Sequence, residues 1–167
     1  SRMNRMLVVG SNLRKDHPLM AHRIRESVRW GGQLNLINAA EDEFLGKVQN
    51  KRIVAPSQLA TSLAGVCRAL AELKNVAVPE IAAQGVVDDS ARAMAQSLAG
   101  GERKAVFLGN MAQHHPTYSQ IHAMAQSLAK LAGASFGVLG EAANSVGAVA
   151  VGAIPTRGPL GTQAIKG

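Results

Sequence analysis

The chain has 167 residues, 47% of them apolar, with six prolines and 17 glycines, which suits one globular α/β domain over 1–167 with a sizeable core and no dividing linker. A single cysteine, Cys67, excludes an internal disulfide and a cysteine-ligated iron-sulfur cluster or zinc site built from this chain alone, and apolar stretches such as Val146 to Ile154 are too short and Gly-broken for a transmembrane helix or a secretory signal. The formal charge of +7 places Arg14, Lys15, Arg23, Arg25 and Arg29 early in the chain, but aromatic residues are only 3% and no DNA-reading motif is present, so the charge is read as a basic rim for an anionic cofactor or an acidic partner subunit, with no nucleic acid.

The first predicted strand, Arg5-Met6-Leu7-Val8-Val9, runs into Gly10-Ser11-Asn12, a polar loop and His17-Pro18. Its unbroken apolar run is that of a buried parallel strand, and the Gly past its carboxyl end lets backbone approach a ligand where a side chain would clash. Pro18 suits a helix start because it needs no amide hydrogen there. Met20, Ile24 and Val28 then recur at helical spacing, and Gly31-Gly32 ends that helix before a second strand, Leu34-Asn35-Leu36-Ile37-Asn38. An acidic, exposed loop from Glu41 to Glu43 leads to the short apolar run Ile53-Val54-Ala55-Pro56. Ser57 can cap the next helix, which carries Leu59, Leu63, Val66, Leu70 and Leu73 and stops near Asn75; Cys67 lies on its core face.

Val76 to Val87 reads as irregular, and Asp88, Asp89 and Ser90 offer caps to a shorter helix that runs through Leu98 and ends at Gly100-Gly101. Then the opening returns. Lys104-Ala105-Val106-Phe107-Leu108-Gly109-Asn110 is followed by His115-Pro116 and a helix with Ile121, Met124, Leu128 and Leu131; Gly133 releases the chain into a last strand, Ser135 to Leu139. Asn12 and Asn110 lie 98 positions apart, as do the two His-Pro pairs, a spacing far beyond solenoid periods. Two related βα units, about 5–30 and 104–132, therefore belong to one sheet. Strands alternating with helices predict a three-layer Rossmann-like fold with a mostly parallel sheet.

Candidate chemistry is sparse. Ser11, Ser57 and Ser119 lack a nucleophile elbow, and no catalytic triad can be argued. His114, His115 and His122 have no acidic or thiol partner at ligand spacing, so His115, like His17, is read as a residue that caps or packs at a helix start. The two Gly turns, with the free amides and positive dipole of the helices that follow, permit a phosphate or nucleotide site at the carboxyl ends of the strands. Side-chain to backbone bonding that stabilises the loops is favoured over ligand contact for Asn12 and Asn110.

Taken together, Gly10-Ser11-Asn12 with Asp16-His17-Pro18, Leu34 through Asn38, Gly109-Asn110 through His114-His115-Pro116, and Gly140 through Gly147 resemble the molybdopterin oxidoreductase-type region in the long iron-sulfur subunit of bacterial NADH-quinone oxidoreductase, respiratory complex I. The resemblance covers nearly the whole chain, in order, and implies a fragment of a longer subunit that carries iron-sulfur clusters in its amino-terminal region. It implies other peripheral-arm subunits and the remainder of that same subunit as partners. It also implies a place on the cytoplasmic side of the bacterial inner membrane, within a membrane-associated complex and without direct membrane insertion.

In the wider family the fold holds a guanine dinucleotide form of molybdopterin. The resemblance places Gly10, Ser11, Asn12, His17 and Pro18 in one vestigial nucleotide-binding turn, Gly109, Asn110 and His115 in its repeat, and Asn144 and Gly147, with Gly152 downstream, in an Asn-x-x-Gly signature. Active members carry Asp-Pro-Arg after the second strand, where this chain reads Asn38-Ala39-Ala40. An amide cannot replace a carboxylate that accepts two hydrogen bonds from a guanine edge, so no molybdopterin is expected. The reading is a non-catalytic structural domain of an enzyme that passes electrons from NADH to quinone. Two alternatives stay open: a dinucleotide-binding fragment of an active oxidoreductase, and a small nucleotide-binding regulatory module, although no full Gly-x-Gly-x-x-Gly or Walker sequence is present.

Overall fold

The opening apolar run is flanked by a neighbour on each side, as its lack of alternation requires. In a computed structural model, which describes residues 3–142 and 145–151, the chain order is β1 (Arg5–Val9), α1 (Leu13–Asp16), α2 (Pro18–Arg29), β2 (Gln33–Asn38), β3 (Asn50–Ile53), a 3-10 turn at Pro56–Gln58 and α3 (Leu59–Leu73). A second 3-10 turn at Glu80–Ala82 is followed by α4 (Asp89–Ala99), β4 (Lys104–Leu108), α5 (Asn110–Gln113), α6 (Tyr118–Ala132), β5 (Ser135–Val138) and α7 (Ser145–Ala150). The five strands form one sheet in the order β3-β2-β1-β4-β5, parallel throughout. The two repeat units meet at its centre, where Arg5 pairs with Lys104 and Val9 with Leu108.

Alternate side chains of the central strands feed two cores. Leu7, Val9, Ile37, Val106 and Leu108 pack against α3, α4 and α6, while Met6, Val8, Leu34 and Leu36 pack against Leu13, Ala21, Ile24 and Phe44. One face thus carries three long helices and the other carries α2. Asn35, fully buried in the middle of β2, is accommodated by complete pairing: its Nδ2 donates to the Met6 carbonyl and to Ser97 Oγ, both at 3.0 Å, and its Oδ1 accepts from Asn50 at 2.7 Å. Among the described residues no helix is long and apolar enough to cross a membrane.

Several local expectations change. The polar loops after the two Gly turns each contain a single helical turn, α1 and α5. The third strand is Asn50–Ile53 rather than the apolar run that starts at Ile53, because an edge strand exposes alternate residues and needs no apolar sequence. Ser57 lies inside the 3-10 turn and makes no capping bond; Pro56 starts that turn, and α3 begins at Leu59. Within the acidic loop only Glu41 and Glu43 are exposed; Asp42 is half-buried, and Phe44 next to Glu43 enters the core. Asp88 caps α4 as expected, accepting from Ala91 N at 2.8 Å, and Asn75 and Gly133 end α3 and α6 in left-handed conformations.

Cys67 is buried in the three-helix core with a free thiol, and burial pushes its pKa up to about 11. A disulfide reagent at pH 8 is expected to modify it only at the rate of unfolding, and at once in denaturant; prompt reaction with the folded chain would contradict this burial. The unfolded chain loses the thiol proton first as pH rises, so folding stability relative to Cys67→Ala is expected to fall between about pH 9 and 11, by roughly 2 to 3 kcal/mol.

Candidate functional site

The chain leaves β1 toward β2 and β3 on one side and toward β4 and β5 on the other, so its winding reverses between β1 and β4. Open parallel sheets form their ligand crevice outside the strand ends at such a point. Here the two Gly turns are bonded to each other: Gly109 N donates to the Val9 carbonyl at 2.9 Å and Met111 N to the Gly10 carbonyl at 2.9 Å. A Cβ at Gly109 would lie 2.2 Å from Ser11 Cβ, and one at Gly10, where φ is +62°, would lie 2.6 Å from Ala112 N. Both glycines are therefore required by the packing of one turn on the other, a reason different from close approach to a ligand. Three amides of the turns are also engaged: Asn12 N donates to Asp16 Oδ2 at 3.3 Å, and Ala112 N, like Met111 N, donates to Gly10 O.

Above these turns lies a cleft of about 450 Å³ lined by Asn12, Asp16, Asn38, Asp42, Asn110 and Glu141, with Ala40, Met111 and His114. The Asn12 side-chain nitrogen, in the orientation its neighbours require, donates to Asp42 at 2.7 and 3.1 Å. Asn110 Oδ1 accepts from Gln113 Nε2 at 3.4 Å, so both asparagines bond to side chains rather than to the backbone expected for them. His114 Nε2 lies 3.2 Å from Glu141. Asn38, only 3% exposed, donates through Nδ2 to the Ser11 carbonyl at 3.0 Å, while its Oδ1 is buried and has no partner among the described residues.

The expected basic rim is not where the cleft is. No Lys or Arg lines it among the described residues, and Arg14 is drawn off to Glu43 at 3.6 Å. Arg23 and Arg29 are instead exposed on α2, a helix that buries its Ala21, Ile24 and Ser27 face and must turn its cations outward.

The described candidate residues fall in five places. Asn12, Asn38 and Asn110 line the cleft, and Gly10, Ser11 and Gly109 form the packed turns beneath it, where Ser11 Oγ is buried without a partner among the described residues. His17 and Pro18 line a separate depression of about 400 Å³ with Leu19, Met20 and Arg23. His115 packs at a helix start, its Nδ1 accepting from Thr117 N at 3.1 Å and its Nε2 lying 2.9 Å from the Pro56 carbonyl. Gly147 lies in α7, and Asn144 and Gly152 fall outside the described residues.

Sequence reasoning missed Asp42 and the acidity of the site. The signal was position: Glu41 to Glu43 begin three residues after a parallel strand ends, which puts them on the ligand edge of the sheet.

A carboxylate at position 38 would face the Ser11 carbonyl that now accepts an amide proton. Burial would raise its pKa above the unfolded value of about 3.9, so the penalty is absent below about pH 4 and grows as pH rises. Asn38→Asp is therefore expected to cost about 2 to 4 kcal/mol at pH 7 and markedly less at pH 4, read from urea unfolding midpoints. A loss that is the same at both pH values would contradict this view of the cleft floor.

No curated protein matches the chain. The family model for molybdopterin oxidoreductase, in contrast, matches residues 4–166, in keeping with a five-stranded parallel α/β sheet whose crevice opens at the β1 and β4 ends. This chain belongs to the molybdopterin oxidoreductase family.

Proposed function

We propose that this chain is the molybdopterin oxidoreductase-like region of the long iron-sulfur subunit of an NADH-quinone oxidoreductase, and that it serves there as a structural domain without chemistry of its own. Membership of an oxidoreductase family and the motif run from Gly10 to Gly147 support the parent enzyme. The observation that carries the structural role is the acidity of the crevice. A dinucleotide brings two phosphate charges to such a place, and Asp16, Asp42 and Glu141 line it with no Lys or Arg beside them among the described residues. A carboxylate about 6 Å from a phosphate charge opposes it by roughly 0.7 kcal/mol in water-like surroundings and roughly 3 kcal/mol at the effective dielectric of a protein surface. Three amides of the turns, Asn12 N, Met111 N and Ala112 N, are already bonded within the chain and do not offset this.

A molybdopterin guanine dinucleotide does not suit these residues, and no redox step is assigned to this chain. In this reading the iron-sulfur clusters and the flavin of the parent enzyme lie elsewhere. The sheet fixes the relative placement of neighbouring segments of the same subunit, and exposed side chains on and beside α2, Leu19, Arg23, Arg29 and Trp30, contact the rest of the subunit or an acidic peripheral-arm subunit on the cytoplasmic side of the membrane.

Gly10→Val introduces a side chain 2.6 Å from Ala112 N and strains a left-handed backbone. It is expected to destabilise the domain by about 3 kcal/mol or more and to lower the yield of assembled NADH-quinone oxidoreductase. Complexes that do assemble should transfer electrons at the normal rate per enzyme. A normally assembled but redox-dead variant would overturn the structural role.

A further inference from the structure

We infer that the cleft at the carboxyl ends of β1, β2 and β4 binds the guanidinium group of an organic cation. This goes beyond the structural role proposed above and does not rest on it. Two independent observations carry the inference. The first is charge: Asp16, Asp42 and Glu141 line the cleft, and its sole basic residue among those described, His114, is taken up by Glu141 at 3.2 Å. The second is Asn38, which is nine-tenths buried or more and lines the same cleft. Its Nδ2 is committed to the Ser11 carbonyl at 3.0 Å, which fixes the orientation of the amide and leaves Oδ1 as a buried acceptor without a partner among the described residues.

A buried acceptor left unpaired is costly, and a ligand N–H recovers that cost. The occupant therefore has to donate hydrogen bonds at the cleft floor and carry positive charge at its walls. A metal ion meets only the second condition, and among the described residues no three His, Cys, Asp or Glu side chains stand close enough to hold one. A guanidinium meets both. It presents five N–H donors in one plane, more than one of which can pair with an acceptor at the same time, whereas an ammonium is a compact point charge with three. About 450 Å³ accommodates such a head group and a short aliphatic stem.

The same chemistry can arrive as a free small molecule or as the side chain of an arginine residue, and the test separates these. The 167-residue chain, labelled with ¹⁵N, is titrated with agmatine, with N-acetyl-arginine amide and with butylurea, a neutral analogue. Saturable shifts confined to the amides around Asn12, Asn38, Asp42 and Asn110 are expected with a Kd of about 1 mM or tighter. Agmatine alone points to a free ligand, and equal binding of the arginine amide points to a protein side chain; both support the site. The Asp16→Asn, Asp42→Asn double variant removes two of the three carboxylates and is expected to weaken binding about tenfold. Absence of saturable shifts, equal binding of butylurea, or undiminished binding by the folded double variant would each overturn the inference.

Discussion

The contact between the ends of β1 and β4 is the constraint on which the rest of the molecule depends. Parallel strands cannot be joined by a tight turn, so the two βα units, separated by nearly a hundred residues, meet only because the long excursion through β2, β3, α3 and α4 returns β4 to the free side of β1. Once there, the turns bond through Gly109 N and Met111 N, and the absence of two side chains, at Gly10 and Gly109, lets them pack. The floor of the cleft is this packed pair. The loops after β1, β2, β4 and β5 supply the walls, and the positions of Asn12 and Asn110 follow from the β1 to β4 register.

That arrangement also determines what the crevice is suited to hold. In a sheet of this topology a phosphate is ordinarily held by leading helical amides and by nearby cations. Here three of the turn amides are spent on the chain itself, and the carboxylates that line the cleft have no Lys or Arg among them in the described residues. The chain carries a formal charge of +7, and among the described residues exposed cations lie on α2 and others at the opposite ends of the strands. There Lys104 has its pKa lowered by burial and by the neighbouring cations Lys74 and Arg5. Net charge alone therefore misjudges the cleft, which no Lys or Arg lines among the described residues.

Much of the fold was legible in the sequence because it rests on local periodicity. The apolar runs Met6 to Val9 and Ala105 to Leu108 are buried where expected except at half-buried Phe107, and Asp88, Asn75 and Gly133 mark helix ends through local hydrogen bonding or left-handed backbone. Polar edge strand β3 was not legible, since one exposed flank removes the apolar pattern that identifies a strand. The candidate site was half legible. Asn12 and Asn110 were found because they follow strands in a repeated unit and Asn38 through the family resemblance, whereas the short distance of Asp42 from the end of β2 marked the ligand edge of the sheet without showing that the loop turns it into the cleft. His17 and His115 repeat in sequence but take up separate surroundings, one beside Leu19 and Met20, the other against Pro56.

The central claim is that this family member keeps the sheet and its crevice while its residues no longer suit a dinucleotide. The most direct test is the melting temperature of the chain with and without GDP, alongside phosphate and ADP, at concentrations far above a plausible dissociation constant. No shift is expected with any of the three. A site at about 100-fold saturation would add roughly 2.7 kcal/mol, or very roughly 5 to 10 °C for a domain of this size. A rise of that order with GDP, and not with phosphate or ADP, would show a working guanine nucleotide site and contradict the claim.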